Sequence, residues 1–264
     1  INSSRIIGPA IGGLLIASAG VAACFLLNGV SYAAVIGTLL LMRRAELFTA
    51  KTAARRPGQI REGLHYTWRT PALRVPLLMM AVVSTLAYNF SVVLPLLARV
   101  VYGRGGGAYG ATFSAMGVGA LVGALFMASR ARPSRRLLVA SAFAFGVFSL
   151  ALAMVPDYTL ALAVLVPLGA TGILFVNTTN SLLQLNAEDS MRGRVMSLWA
   201  IVFFGSTPLG GPLTGLIARA LGVQWAVAIG GLATVATAAG AYWALRRRNV
   251  ESGACEAPAC LPDD

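Results

Sequence analysis

Asn177, Asn180 and Gln184 stand at positions i, i+3 and i+7 of one apolar run, so on a helix they share a face. Thr178, Thr179 and Ser181 sit beside them. Amides held among apolar residues do one of two things. They hydrogen-bond a neighbouring helix, or they line a wet cavity and touch what it holds. Both readings stand for this face. Asn89, between Tyr88 and Phe90, is a second such group, and Phe90, Trp199, Phe203 and Phe204 offer apolar surface for a drug-like molecule. A lone amide, Asn28, reads as glue between helices. Acid–base chemistry has less to work with. The nine acidic residues (Glu46, Glu62, Asp157, Glu188, Asp189, Glu251, Glu256, Asp263 and Asp264) all fall outside the apolar runs. The single histidine, His65, is in a polar connection, and of three cysteines Cys24 is in an apolar run while Cys255 and Cys260 are near the C-terminus. That is too few ligands for a zinc site, and too little clustering for a membrane-embedded enzyme. No catalytic residue, metal or cofactor is expected.

The apolar runs position these groups. Of 264 residues 57% are hydrophobic and only 11% charged, with a mean hydropathy of +0.75. Soluble domains carry about 25% charged residues, so the composition is that of a membrane protein. A spanning helix needs about 20 apolar residues. Eight runs qualify: Ser4–Ala19, Val21–Met42, Val75–Leu97, Tyr109–Ser129, Leu137–Val155, Tyr158–Leu185, Val195–Leu221 and Val223–Leu245. The expected fold is all-α, a polytopic transmembrane helix bundle of eight spans.

The first run holds Arg5-Ile-Ile-Gly8-Pro9-Ala-Ile-Gly12-Gly13. Pro9 removes a helical donor and predicts a kink, and Gly8 and Gly12 make a small face for close helix approach. The pattern partly recurs as Gly211-Pro212-x-x-Gly215. A recurring kinked, small-residue span points to a transporter built from repeated halves. Gly117, Gly119 and Gly123 give the fourth span similar small faces, read first as packing.

The net charge is +12, with the basic residues gathered at the ends of the runs, which excludes a nucleic-acid reading. Alternating sides from a cytosolic start leaves only Arg99, Arg104 and Arg219 of the 21 lysines and arginines outside. The N-terminal end of the chain and its tail are therefore expected in the cytoplasm, in the inner or plasma membrane. Between spans two and three, Ile60, Leu64 and Trp68 repeat every four residues, with Arg61, Glu62, His65 and Arg69 between them. This predicts an amphipathic helix on the membrane surface, its basic face among anionic lipids and ended by Pro71. Glu188, Asp189, Arg192, Gly193 and Arg194 form a short inner turn of mixed charge. They read as anchoring with local pairing, or as an inner gate whose pairs break on switching.

Several stretches together resemble the major facilitator superfamily, in particular its drug:proton antiporter branch of macrolide-efflux and enterobactin-exporter-like proteins. Asn2 to Gly13 is similar to the exporter motif of the fifth helix. Arg61-Glu-Gly-Leu-His-Tyr-Thr-Trp-Arg-Thr-Pro71 is similar to the end of the central loop, and Leu183 to Leu198 to the turn between helices ten and eleven. The resemblance implies that the chain holds helices five to twelve, as the C-terminal part of a longer protein. Residues 1–42 would be the last two helices of the N-terminal half, and 43–74 the cytoplasmic central loop. Residues 75–248 would then be the complete C-terminal six-helix half, and 249–264 a disordered tail. It implies a secondary active exporter of amphipathic small molecules such as drugs or siderophores, working by alternating access. Proton coupling is implied too, yet no carboxylate lies within a span here, so the titrating group is expected outside this chain. Ser129 to Arg136 lacks the acidic residue and glycine of the family's loop motif. A non-transporting membrane scaffold is the competing reading of the chain alone.

Overall fold

The computed structural model describes residues 26–42, 58–129 and 133–254. The motif of Arg5, Gly8, Pro9, Gly12 and Gly13 lies outside the described residues, as do the first expected span, residues 43–57 of the central loop and the end of the tail. Among the described residues every element is helical. A short apolar helix, α1 (Leu26–Leu41), is followed by α2 (Gln59–Arg69), α3 (Pro71–Leu86) and α4 (Phe90–Leu96) with a π-helical turn over Leu97–Val101. Then come α5 (Gly106–Ser129), α6 (Arg135–Met154), α7 (Tyr158–Asn186), α8 (Asp189–Gly205), α9 (Thr207–Leu221) and α10 (Val223–Ala254).

Among the described residues six stretches are long and apolar enough to cross a bilayer: Pro71–Val101, Gly107–Ser129, Arg135–Met154, Tyr158–Asn186, Asp189–Leu221 and Val223–Ala244. They coincide with the last six expected spans, with ends that differ by up to six residues. The fold is an all-α polytopic bundle. Exposed Leu125, Leu160, Leu216, Trp225 and Leu232 give it the outward apolar surface that lipid requires. Its core runs from Met79, Met80 and Val83 through Phe90, Leu94, Phe145, Leu165, Leu168 and Phe175 to Val227 and Ala238.

Local sequence sets the helix ends. Ser134 and Asp157 each accept a backbone N–H three residues on, from Leu137 and Leu160, as N-caps of α6 and α7. Gly222 turns the chain between α9 and α10 at φ 103°, a left-handed value that disfavours any side chain.

Two crossings are interrupted. The first breaks at Ala87–Asn89, between α3 and α4, where the N–H groups of Ala87 and Tyr88 both reach back to the Val83 carbonyl. The second breaks at Ser206, between α8 and α9, just ahead of Pro208, which has no N–H to give Phe204. The sequence reading had both as unbroken spans.

The helices meet through small residues. A methyl on Gly119 of α5 would overlap the Val166 carbonyl of α7, and one on Gly169 would overlap the Met116 carbonyl of α5. In α6, Gly146 faces Gly231 of α10 across a gap that a Cβ would close to 2.9 Å. A Gly119→Val protein should therefore lose about 1–3 kcal/mol or more from overpacking. Gly240 of α10 has nothing within 4 Å of the position a Cβ would take, so Gly240→Ala should be neutral or slightly stabilising. Thermal unfolding of the two variants in detergent separates them.

Candidate functional site

The break in the first crossing exposes backbone groups that must be satisfied. The Asn89 side-chain amide donates to the Thr85 carbonyl at 2.7 Å. That bond supplies the donor the unwound turn no longer provides. Asn89 is only 3% exposed, and Gly210 of α9 packs against both the Thr85 carbonyl and the Asn89 amide. Asn89 thus holds the break together and does not line the cavity beside it.

That cavity lies on the other side of the break. Tyr88, Phe90 and Ser91 form one wall, Phe113, Met116, Gly117 and Ala120 of α5 a second, and Leu168, Gly169 and Gly172 of α7 a third. Its volume is about 440 Å³, and no charged residue lines it. Gly117 opens onto the cavity while Gly119 and Gly123 face the α7 backbone, so the small residues of α5 divide between making space and removing it. Phe90 meets Tyr88 edge-on with ring centres 5.3 Å apart and Phe145 edge-on at 5.9 Å. Tyr88 reaches Phe203 of α8 at 5.7 Å, and Phe203 stacks on Trp199 at 5.4 Å. The aromatic groups singled out in the sequence therefore form one connected set. The Trp199 Nε1–H is buried without a hydrogen-bond partner among the described residues.

The amide face of α7 is elsewhere, nearer the helix's C-terminal end. Gln184 is exposed, Asn177 and Asn180 are half-buried, and the Gln184 Nε2 donates to Asn180 Oδ1 at 2.6 Å. The Arg192 Nε of α8 donates to the Gln184 carbonyl at 3.1 Å. So the face is tied to the α7–α8 turn and stands apart from the apolar cavity.

At that turn Arg192 pairs with Asp189 one helical turn away, and Arg194 pairs across elements with Glu62 of α2, both at 2.6 Å. The Glu188 N–H donates to the Tyr66 hydroxyl at 3.2 Å. Gly63 lets α2 approach closely enough that a Cβ there would lie 3.1 Å from the Arg194 Cβ. Gly193 has open space around it. These pairs are partly exposed, so each contributes only about 0.2–1 kcal/mol.

The opposite end of the bundle is tied by tyrosine hydroxyls. The Tyr102 hydroxyl donates to the Val155 carbonyl at 3.0 Å, and the Tyr158 hydroxyl to the Ala108 carbonyl at 2.9 Å. The Arg104 guanidinium lies 4.7 Å above the Tyr158 ring. Burial, and secondarily the charge of Asp157, push the Tyr102 phenol above its usual 10.0. A raised value means the protonated, donating form is favoured in the folded protein. Its stabilising effect is complete below pH 10.0 and lost as pH climbs through the higher folded value. Ultraviolet titration of tyrosinate should show a late component above pH 10.0 that Tyr102→Phe removes.

A sequence profile described as transmembrane secretion effector matches residues 1–263. The multidrug efflux pump Tap of Mycolicibacterium fortuitum is 28% identical over 239 residues, which make up 84% of this chain and 56% of that protein. The chain thus spans about half the length of that curated relative.

Proposed function

The chain belongs to the transmembrane secretion effector family of the major facilitator superfamily, and from that premise we propose that it forms the cargo-handling half of a secondary active exporter. The cargo is an amphipathic small molecule of the drug or siderophore kind. The observation that carries this reading is the uncharged, ring-lined cavity of about 440 Å³ beside the broken α3–α4 crossing. Its size falls in the range of about 300–1,000 Å³ usual for small-molecule sites. Interrupted helices near the middle of a span are where transporters commonly place their sites.

In this reading Phe90, Tyr88, Phe113 and Met116 hold the apolar part of the cargo, and the Ser91 hydroxyl offers one polar contact. Asn177, Asn180 and Gln184 form a second, polar stretch of the route towards the α7–α8 turn. Glu188, Asp189, Arg192, Gly193 and Arg194 act at the inner gate, with Glu62 and Tyr66 as its partners on α2. The end carrying Arg61, Arg69, Arg74, Arg135, Arg136, Arg192 and Arg194 faces the cytoplasm, as the distribution of positive charge favours. The motif around Arg5, Gly8, Pro9, Gly12 and Gly13 shapes a moving helix. Any coupling to protons is assigned to a carboxylate outside these spans, because none of the apolar runs holds one.

Ala120→Trp fills the cavity from the α5 side. In energised membrane vesicles it should slow gradient-dependent movement of an amphipathic aromatic dye about ten-fold, the equivalent of about 1.4 kcal/mol of cargo binding. Its unfolding temperature should stay near that of the parent. If no member of a panel of amphipathic cations and siderophores moves with the gradient, the export reading is wrong.

A further inference from the structure

The helix α2 has three faces, and the bundle uses only one. Advancing about 100° per residue, positions four apart fall into stripes. Gly63 and Thr67 are buried against the bundle, Tyr66 is half-buried beside them, and Glu62 reaches across to Arg194. Ile60, Leu64 and Trp68 make a second stripe and remain 65%, 48% and 55% exposed. Arg61, His65 and Arg69 make a third, also exposed, immediately beside the apolar one. The Arg74 guanidinium lies 5.9 Å from the Trp68 ring, adding a fourth basic group at the edge of the apolar stripe.

We propose that the outward faces of α2 form a binding strip for anionic phospholipid. The apolar stripe enters the acyl boundary, and Arg61 and Arg69, with His65 between them, meet the lipid phosphates. Position and charge single out this occupant. Pro71 starts α3 within two residues of the end of α2, which keeps the helix at the rim of a membrane-spanning segment. Of the acidic residues on α2 and the α7–α8 turn, Glu62 is engaged by Arg194 and Asp189 by Arg192, while Glu188 stands on the turn and not on the stripe. A partner protein would have to cover three large apolar side chains at the same level as the lipid surface. The contact with Arg194 and the Tyr66 bond to Glu188 join the strip to the α7–α8 turn, so the bound lipid bears on the charged turn. This inference rests on the chain spanning a membrane and not on what it carries.

The test uses the full chain with Cys24, Cys255 and Cys260 changed to Ser, and Leu64→Cys carrying a bimane fluorophore. The protein is placed in phosphatidylcholine nanodiscs in which an equal mole fraction of either brominated phosphatidylglycerol or brominated phosphatidylcholine is the quencher. Phosphatidylglycerol should quench more strongly, with local enrichment on the order of five-fold per arginine. High salt and Arg61→Gln with Arg69→Gln should abolish the excess, while Arg61→Lys with Arg69→Lys should keep it. A label at Leu232→Cys, on the exposed side of α10, should be quenched equally by both lipids. Equal quenching by the two lipids at Leu64 would overturn the proposal. So would the absence of quenching by either, which would place protein over the stripe. Neither result would bear on the export reading, which the cavity-filled variant tests separately.

Discussion

Two broken membrane crossings meet backbone to backbone where Gly210 presses on the Thr85 carbonyl and the Asn89 amide. The site depends on this contact. An interrupted helix in lipid leaves carbonyls and N–H groups that water cannot satisfy. Asn89 supplies the missing donor from its own side chain, and the absence of a side chain on Gly210 gives that amide room to sit. With the break stabilised, Tyr88, Phe90 and Ser91 form one wall of a cavity whose other walls are α5 and α7. The same turn sends Asn89 to the opposite side. Two adjacent residues, an amide and a ring, therefore have different tasks for a local geometric reason.

The wider bundle obeys the same constraint. Lipid gives apolar side chains little reason to leave it for one another, so helices gain by approaching closely enough for dispersion contacts and backbone dipoles to act. Gly119 and Gly169 bring α5 and α7 together from both sides, and Gly146 and Gly231 do so for α6 and α10. Gly230 of α10 lies over the Leu86 carbonyl, at the end of α3. The close seams thus converge on the same break that Gly210 supports.

How much of this could be read from the sequence follows from which forces are one-dimensional. Exclusion of charge from lipid acts on a run of residues wherever it packs, so the last six expected spans coincide with the six membrane-length helices. Amphipathy is also local, and α2 forms where Ile60, Leu64 and Trp68 repeat. The breaks at Ala87–Asn89 and Ser206 are different. No proline or glycine lies at Ala87–Asn89, and the capping bond from Asn89 is rewarded only when Gly210, more than a hundred residues away, fits beside it. The division of Gly117 from Gly119 and Gly123 was equally hidden, because a small residue has the same letter whether it faces a cavity or a neighbour. The link from Glu62 and Tyr66 to Arg194 and Glu188 crosses elements remote in sequence, and only the charged turn itself could be noticed beforehand.

These contacts differ in strength. The glycine seams set backbone against backbone between α5 and α7 and between α6 and α10. At one end, tyrosine hydroxyls donate to carbonyls partly shielded from solvent, and the phenol of Tyr102 is held in its neutral form. At the other, one partly exposed ion pair, Arg194 with Glu62, and one hydroxyl contact join α2 to the α7–α8 turn. Screened pairs of this kind open at a cost of about 1 kcal/mol or less. These screened contacts are the weakest at that end, and the buried apolar cluster of Leu73, Leu77, Leu183, Val195 and Leu198 beneath them is what holds it together.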